Sequence, residues 1–530
     1  MRTDLTIVGA GVSATHTLLA LLRDLAAAPA RPARPVRILV VDRDPQFFSG
    51  VPYGHRSGRA SLTLSTLAGF LPDDERARFT AWLDAERDRL LAAADAGWAE
   101  RHRGDAEAGR WDGLFVPRRW YGEYLTAQAT AAIAEARSAG IAEVALLTAE
   151  IDSIERSDRG FAVNAGDTRI ETAAVLLATG SPPTRRLPTD GSGTAAGLVH
   201  DLYDPGLDET LARLREQLGA AAPEDRRVLI AGGNASALEF VLASRGILDE
   251  LGARLTVLSP GGRPRNWRRK TPGEVAELPA LAALTARAAD GENLTAAELF
   301  EAVAADLRDS VRAGTDVAAV QAMVPAIPSF LPRLSDRERS ALATRHGMAI
   351  TTLLRQDCGD AVAVLEALVE RGAVDFQAGR YVGCRPVGRA FEVTIADGRG
   401  EQRALPVRYA AVVGAVGFEG VSHTGAPLLR QLLDAGIVEA SGSDAGLRVD
   451  EQFQAAPGLY VMGPLLAGNA HPRLLVWHAE SVRRIMSLAP EAAKSIAREM
   501  ILVVENDLAG APSPDGGAVA LGGAHDATVR

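Results

Sequence analysis

Cysteine is almost missing from this chain. Cys358 and Cys384 are the two present in 530 residues. Neither belongs to a CxxC pair, which argues against both a disulfide framework and a dithiol relay. Aromatic residues make up only 5% of the chain, and its nine histidines show no clustering at metal-ligand spacing. No Ser/His/Asp arrangement stands at a recognisable spacing either. Positive charge is in deficit: 57 Lys+Arg against 67 Asp+Glu give a net charge of −10. A nucleic-acid binder would normally present a basic face, so this balance argues against such a partner and for solubility alone. No apolar run reaches the roughly 18–20 residues that a membrane helix requires. The first apolar segment starts too close to residue 1 to leave room for a signal peptide. With 47% hydrophobic residues and a mean hydropathy of +0.02, the expectation is a cytoplasmic, globular α/β protein of about two or three domains.

What the chain does have begins at residues 4–14, DLTIVGAGVSA. The apolar run Leu5, Thr6, Ile7, Val8 suits a buried parallel strand, and Gly9-Ala10-Gly11-Val12-Ser13-Ala14 follows at once. Leucines at mixed three- and four-residue spacing from Leu18 to Leu25 then predict a helix. In that context Gly9 allows a tight turn, Gly11 lets backbone approach a pyrophosphate, and Ala14 keeps helix and strand close. The pyrophosphate would sit on the free N–H groups and positive dipole end of the helix. A second apolar strand, VRILVVDRD, ends in Asp42-Arg43, where an acid can bind ribose hydroxyls. The spacing from Gly9 to Asp42 is longer than usual, and the Ala/Pro-rich stretch at 26–35 accounts for the excess as a surface loop.

The same plan recurs. IVGAGVSA leads through alternating segments to AAVLLATGSPP (173–183), which carries Ala178-Thr179-Gly180; LIAGGNASALEF leads through similar segments to YAAVVGAVGFEG (409–420). Each pass reads as a Gly-rich strand–helix turn, an antiparallel meander and a closing apolar strand. Two such units imply two facing nucleotide sites. The second loop reads Gly232-Gly233-Asn234-Ala235-Ser236-Ala237, with Asn234 where a further glycine is expected. Asn tolerates left-handed backbone better than most residues, so the turn can survive. The side chain would either crowd a pyrophosphate or donate a hydrogen bond to it. The following strand ends at Ser259 with no acid, and five of the eight residues from Arg263 to Lys270 are basic. A 2′-phosphate needs cationic donors instead of a carboxylate, which favours NADPH over NADH, with Arg263 and Arg265 nearest the strand end. A solvated basic loop is the alternative.

IVGAGVSA, LLATGSPP, the second glycine loop and GLYVMGP (458–464) stand in the order found in two-dinucleotide-binding-domain flavoproteins, which the chain resembles over residues 4–490. Within them it is most similar to bacterial FAD/NAD(P)-binding proteins, through VDRDPQFFSGVPYG (41–54), LAGFLPDD (67–74), FVPRRWYGEYL (115–125) and PLLRQLLDAGIV (427–438). That group resembles flavin-dependent N-hydroxylating monooxygenases, including ones that oxidise the amine of aspartate. The resemblance implies FAD at the first loop and NADPH at the second, and O₂ and a small amine or amino acid as partners. Some family features differ: Pro464 follows Gly463 where an Asp is usual, Ser181 stands where lysine and ornithine hydroxylases carry Tyr, and the Baeyer–Villiger fingerprint FxGxxxHxxxW is not met.

The expected fold is therefore α/β, with two Rossmann-like dinucleotide-binding domains of glutathione-reductase type and a helical insert. Residues 1–187 and 419–505 would form the FAD-binding domain, with a helical excursion at about 75–140. Residues 188–418 would form the NAD(P)-binding domain, with an insert at about 273–350 acting as lid, substrate wall, decoration or homodimer surface. Residues 506–530, rich in Gly, Ala and Pro, are expected to be a mobile tail. Because the flavin would supply the reactive centre, catalytic side chains are hard to read. Tyr53 is expected near the isoalloxazine, and His471 and His478 lie in the segment 463–484 expected beside the ring. Those histidines are candidates for proton handling or substrate contact, or are structural.

Overall fold

The structure, a computed structural model, describes residues 1–29, 32–190, 196–264, 267, 277–355, 358–471 and 474–509. The apolar run after Met1 forms β1 (Arg2–Val8), buried at six successive positions. Such unbroken burial is what a parallel strand covered on both faces requires. Helix α1 (Val12–Ala27) carries the chain over to β2 (Val36–Asp42), parallel to β1. Beyond β2 lies β3 (Ala142–Thr148), and on the other side of β1 lie β6 (Thr168–Leu177) and then β16 (Leu459–Val461), all parallel. The chain leaves β1 in one direction and later returns on its other side. The carboxyl ends of β1 and β6 therefore border a topological switch point, where ligands of open α/β sheets bind.

A second sheet repeats the plan. β8 (Arg227–Ala231) is flanked by β9 (Arg254–Ser259) and β14 (Ala411–Gly414), with β10 (Val374–Ala378) beyond β9 and β7 (Leu198–Val199) beyond β14. Its crossover helix after β8 spans Ala235–Leu251. The meanders differ from expectation in one respect, and both copies differ alike. The first segment of each, β3 and β10, is a parallel member of its main sheet. Only the later strands are antiparallel: β4 (Ser153–Ser157) with β5 (Gly160–Ala165) and β6 in the first copy, β11 (Arg380–Val387) with β12 (Ala390–Ala396) and β13 (Gln402–Ala404) in the second. Alternation alone does not tell whether the next neighbour along a sheet runs with or against a strand.

Helical additions fill both units. The excursion contains helices Asp73–Ala85, Arg87–Ala93, Ala96–Glu107 and α2 (Arg118–Ser138). The insert, described from residue 277, runs on to a helix at Gly347–Leu354, a little beyond the expected boundary. It has its own apolar core around Leu299, Val303, Met323 and Phe330, joined there by Leu475. Leu475 belongs to the hairpin of β17 (Asn469–His471) and β18 (Leu474–Val476), so the insert seats on the segment that follows β16.

The last helix, Val482–Ala509, packs along α1. It continues past residue 505, so the first residues assigned to the tail are helical, and the remainder of that stretch lies outside the described residues. Near the helix end Asp507 meets Arg2 and Arg34, and Arg34 and Arg37 both grip Asp4 at 2.6 and 2.8 Å. This cluster lies at the start of β1, so the last helix runs parallel to α1 and both N-termini point to the strands' carboxyl ends.

Burial works against the Asp4 charge, but hydrogen bonds from Arg34 and Arg37 outweigh it and hold its carboxyl down to about 2. A depressed acid stabilises the fold fully above its unfolded value, near 4, and loses that contribution as pH falls toward 2. The shift corresponds to about 2 kcal/mol. Urea midpoints followed from pH 6 to pH 2.5 should fall steeply in the native protein below pH 4. Asp4→Asn should be destabilised by a similar amount at pH 6 and show a shallower acid slope; parallel slopes would refute the clamp.

Candidate dinucleotide site

The two glycine loops have the same backbone. Gly9 has φ +96 and Gly232 φ +121. A Cβ on Gly9 would lie 2.4 Å from the Ala178 carbonyl oxygen, and one on Gly232 would lie 2.0 Å from that of Ala415. Only glycine satisfies both the left-handed angle and this approach. The Gly9 N–H donates to Val41 O and Ala178 N–H to Val8 O; in the second copy Gly232 donates to Leu258 O and Ala415 to Ala231 O. Each closing strand then turns at a positive-φ glycine, Gly180 in one unit and Gly417 in the other, and a side chain there would meet nothing within 4 Å.

In the first loop Gly11 is the N-cap of α1, with φ −80 and ψ −173, no side-chain cap and no acid in the first turn. The helix N–H groups are thus left to an external acceptor. A Cβ on Gly11 would touch only the Gly50 Cα at 3.6 Å, an ordinary contact. Gly11 is therefore not demanded by the protein's own packing, which fits a cradle kept open for a pyrophosphate. Asp42 closes the loop by accepting from Ala10 N–H at 2.6 Å and from Asp44 N–H at 2.9 Å. Gly463 reaches the same place, its absent Cβ falling on the Ser13 hydroxyl. Pro464 opens the short helix Gly463–Leu466, and Ala10, Val12, Ser13 and Ala14 are buried beneath the loop. Thr179 is exposed beside Gly180. Arg43, by contrast, faces solvent toward Glu150 at 3.8 Å and is apart from this convergence.

The second loop differs in one side chain. Asn234 has φ −88 and ψ −175, the extended conformation of Gly11. The expectation of a left-handed backbone at Asn234 is therefore corrected: the turn never asks for it. Instead Asn234 Oδ1 accepts from Ala237 N–H at 3.1 Å and caps the helix that begins at Ala235 and Ser236. Pro264 lies over the loop, 2.6 Å from where a Gly233 Cβ would be, which brings the basic segment alongside. Arg263 is already engaged: its guanidinium lies 5.3 Å from the Phe376 ring centre, 3.3 Å from Trp267 O and 3.9 Å from Glu366. Arg265 lies outside the described residues.

Tyr53 ends a short helix, Gly50–Tyr53, whose first residue abuts Gly11. Its ring meets Tyr121 at 5.5 Å and Phe70 at 6.1 Å, and burial pushes its hydroxyl up to about 12. His471 is committed to structure: its Nε2 lies 2.5 Å from Val449 O, while its carbonyl accepts from Arg339. Burial, helped by Arg484 and Arg355, pushes His478 down to about 4, so its imidazole is neutral. Glu480 nearby is reached by solvent yet walled in, and loss of hydration raises its acid although Arg355 opposes. Residues that sequence reasoning missed include Phe48, held at φ +74 with its N–H on Ala10 O at 2.7 Å, and Gly50. A glycine just past the second strand was the available signal. Among the described residues no group of His, Cys, Asp and Glu is arranged to hold a metal ion, and no helix is long and apolar enough to cross a membrane.

A family profile described as FAD-NAD(P)-binding matches residues 6–182. An uncharacterised protein of Mycobacterium tuberculosis is 31% identical over 511 residues, covering 93% of this chain and 95% of that protein. Among solved structures, the ornithine hydroxylase of Pseudomonas aeruginosa is similar with a TM-score of 0.54 at 16% identity, covering 94% of this chain and 100% of that one. The FAD-bound cadaverine monooxygenase of Erwinia amylovora is similar with a TM-score of 0.54 at 13% identity, covering 94% of each. At such low identity the structural likeness speaks for the fold alone, an α/β fold with two Rossmann-like units. With one loop built to leave a helix N-terminus open, a second of the same backbone beside it, and a mycobacterial relative matching nearly end to end, the chain belongs to the FAD/NAD(P)-binding family.

Proposed function

We propose that this protein is an FAD- and NADPH-dependent monooxygenase that hydroxylates the nitrogen of a small amine or amino acid. The observation that carries the reading is the pair of matching glycine loops, each at the carboxyl edge of its own parallel sheet in one chain. Such pairing serves hydride transfer between two dinucleotides. FAD fits the first loop, where Gly9, Gly11, Asp42, Gly180 and Gly463 converge on an uncapped helix N-terminus. When bound, it supplies the redox chemistry with nicotinamide and oxygen. The chain's own part is to hold both nucleotides and to keep water out. The insert seated on β17–β18 supports the second task, because oxygen transfer needs a covered pocket. The amine assignment is supported by the fold shared with N-hydroxylating enzymes. Asn234 favours a second reading, a flavin-binding protein whose nicotinamide loop is idle, since its side chain already satisfies Ala237 N–H. A reductase without oxygen chemistry is the intermediate case.

The purified protein should be yellow and release FAD on denaturation. Gly11→Val should fold, since a Cβ there meets only the Gly50 Cα at an ordinary 3.6 Å, but would place a branched side chain where the pyrophosphate lies. Overpacking of about 1–3 kcal/mol corresponds to roughly 5- to 150-fold weaker flavin retention. A Gly11→Val protein that keeps stoichiometric FAD would show the first loop to be misassigned.

Anaerobic bleaching of the flavin should be faster with NADPH than with NADH. A single charge-assisted phosphate contact is worth about 1.5–3 kcal/mol, hence roughly tenfold or more in preference. In air, NADPH oxidation should be accelerated by one member of an amine panel beginning with aspartate, with hydroxylamine formed in step with oxygen consumed. Bleaching by neither nucleotide would establish the idle-loop reading. Bleaching followed only by hydrogen peroxide release, whatever amine is added, would establish the reductase.

A further inference from the structure

The two units are joined by a polar cluster that no step above has used. Glu239 lies one turn into the helix that starts at the second glycine loop and is buried, with Oε2 3.0 Å from Arg118 Nη2 and 3.0 Å from the Tyr203 hydroxyl. Arg118 is the first residue of α2, in the other unit. The two charged side chains are only 12% and 5% exposed. Ser61 donates to the other Glu239 oxygen, and Arg118 Nε donates to Leu62 O at 2.7 Å. The carbonyl of Tyr203 is held from the first unit by Arg56 Nε at 2.8 Å, and Arg56 reaches Pro205 O at 2.9 Å.

A second contact gives this cluster a direction. Gly122, one turn beyond Arg118 on α2, has its Cα pressed so closely on Tyr53 that a Cβ there would lie 2.1 Å from the Tyr53 carbonyl oxygen. Tyr53 closes the short helix that starts against Gly11. One helix thus rests on the first glycine loop through Gly122, Tyr53 and Gly50, and grips the helix that leaves the second through Arg118, Glu239 and Tyr203. A buried ion pair is a poor source of net stability but holds its partners in one geometry, because either charge left alone is costly.

We propose that Arg118, Glu239 and Tyr203 are positioning residues that set the distance between the two nucleotide loops, and hence between nicotinamide and flavin. The inference rests on the hydride-transfer reading above. It predicts a defect confined to the nicotinamide half-reaction: small misplacement of reacting groups costs rate steeply, up to about a hundredfold for an ångström.

Three FAD-loaded proteins decide it: the native chain, Tyr203→Phe, and the double variant Arg118→Met/Glu239→Leu, which removes both charges together and so leaves no unpaired ion to unfold the protein. Anaerobic flavin reduction at saturating NADPH should be roughly ten- to a hundredfold slower in both variants. Their FAD content and their reduction by dithionite should match the native protein. Amide exchange over residues 235–240 should be faster in both, a readout that needs no hydride. Native rates of reduction and exchange in either variant would overturn the inference while leaving the hydride-transfer reading intact. A native protein that no nicotinamide reduces would instead overturn that reading, and this inference with it. A variant that loses FAD along with its reduction rate would mark the cluster as support for the flavin site and overturn the positioning role.

Discussion

A side chain has no room at Gly9 or Gly232, and much of the molecule is arranged around that constraint. In each unit the first strand must turn into its helix while its end lies against the end of the closing strand, 2.4 Å from a virtual Cβ to Ala178 O and 2.0 Å to Ala415 O. That approach aligns the carboxyl ends of β1, β6 and β16 on one side and β8 and β14 on the other. It also fixes where each crossover helix begins. The rest follows from geometry: Asp42 can reach Ala10 N–H because the loop passes over the end of β2, and Gly463 can touch Ser13 because β16 ends level with β6.

Identical backbones need not carry identical chemistry. Gly11 and Asn234 occupy the same extended conformation at the same point of their loops. One leaves the helix N-terminus without a side-chain partner; the other satisfies it from within. Asn at an N-cap is worth about 1 kcal/mol over Ala but only a few tenths over Gly, so the cap is a weak reason for Asn on stability grounds. A phosphate could compete for the same N–H, since a charge-assisted bond is stronger than the neutral one it replaces. The asymmetry therefore allows tight, permanent occupancy at the first loop and reversible occupancy at the second, as a resident flavin and an exchanging nicotinamide would need.

The repeat is the most legible feature of the sequence, because Gly-rich turns and strand ends recur at fixed places beside buried apolar runs. Gly9, Gly11, Asp42, Gly180 and Gly463 could be named for that reason, and the structure brings them together. What could not be read was anything set by contacts between distant segments. β3 and β10 alternate like meander strands, yet each joins a parallel sheet, since alternation reports exposure on two faces and not the direction of the neighbour. The left-handed expectation at Asn234 failed because the glycine it replaces serves ligand approach and not backbone freedom. Arg263 stands just after β9, but no local pattern signals that Phe376 and Glu366 engage it. Arg118 and Glu239 are far apart in the chain and ordinary in local pattern, so their pairing had no signal at all.

The helical additions show why those distant contacts matter. Each unit's addition docks on the other unit. The excursion of the first grips helices of the second through Asp95–Arg245 at 2.7 Å and His102–Asp360 at 2.5 Å, besides Arg118–Glu239. The insert, which lies between β9 and β10 of the second, seats on the β17–β18 hairpin of the first, where Trp477 Nε1 donates to Thr351 at 2.9 Å. Partly exposed ion pairs contribute little individually, and the apolar seat of the insert supplies more of the attachment. Yet ion pairs are directional where apolar packing is not. Packing keeps the units together, and the polar cross-links fix how they face one another. That division of labour suits a site split between two sheets, where a small rotation would leave both loops intact and still separate what they hold.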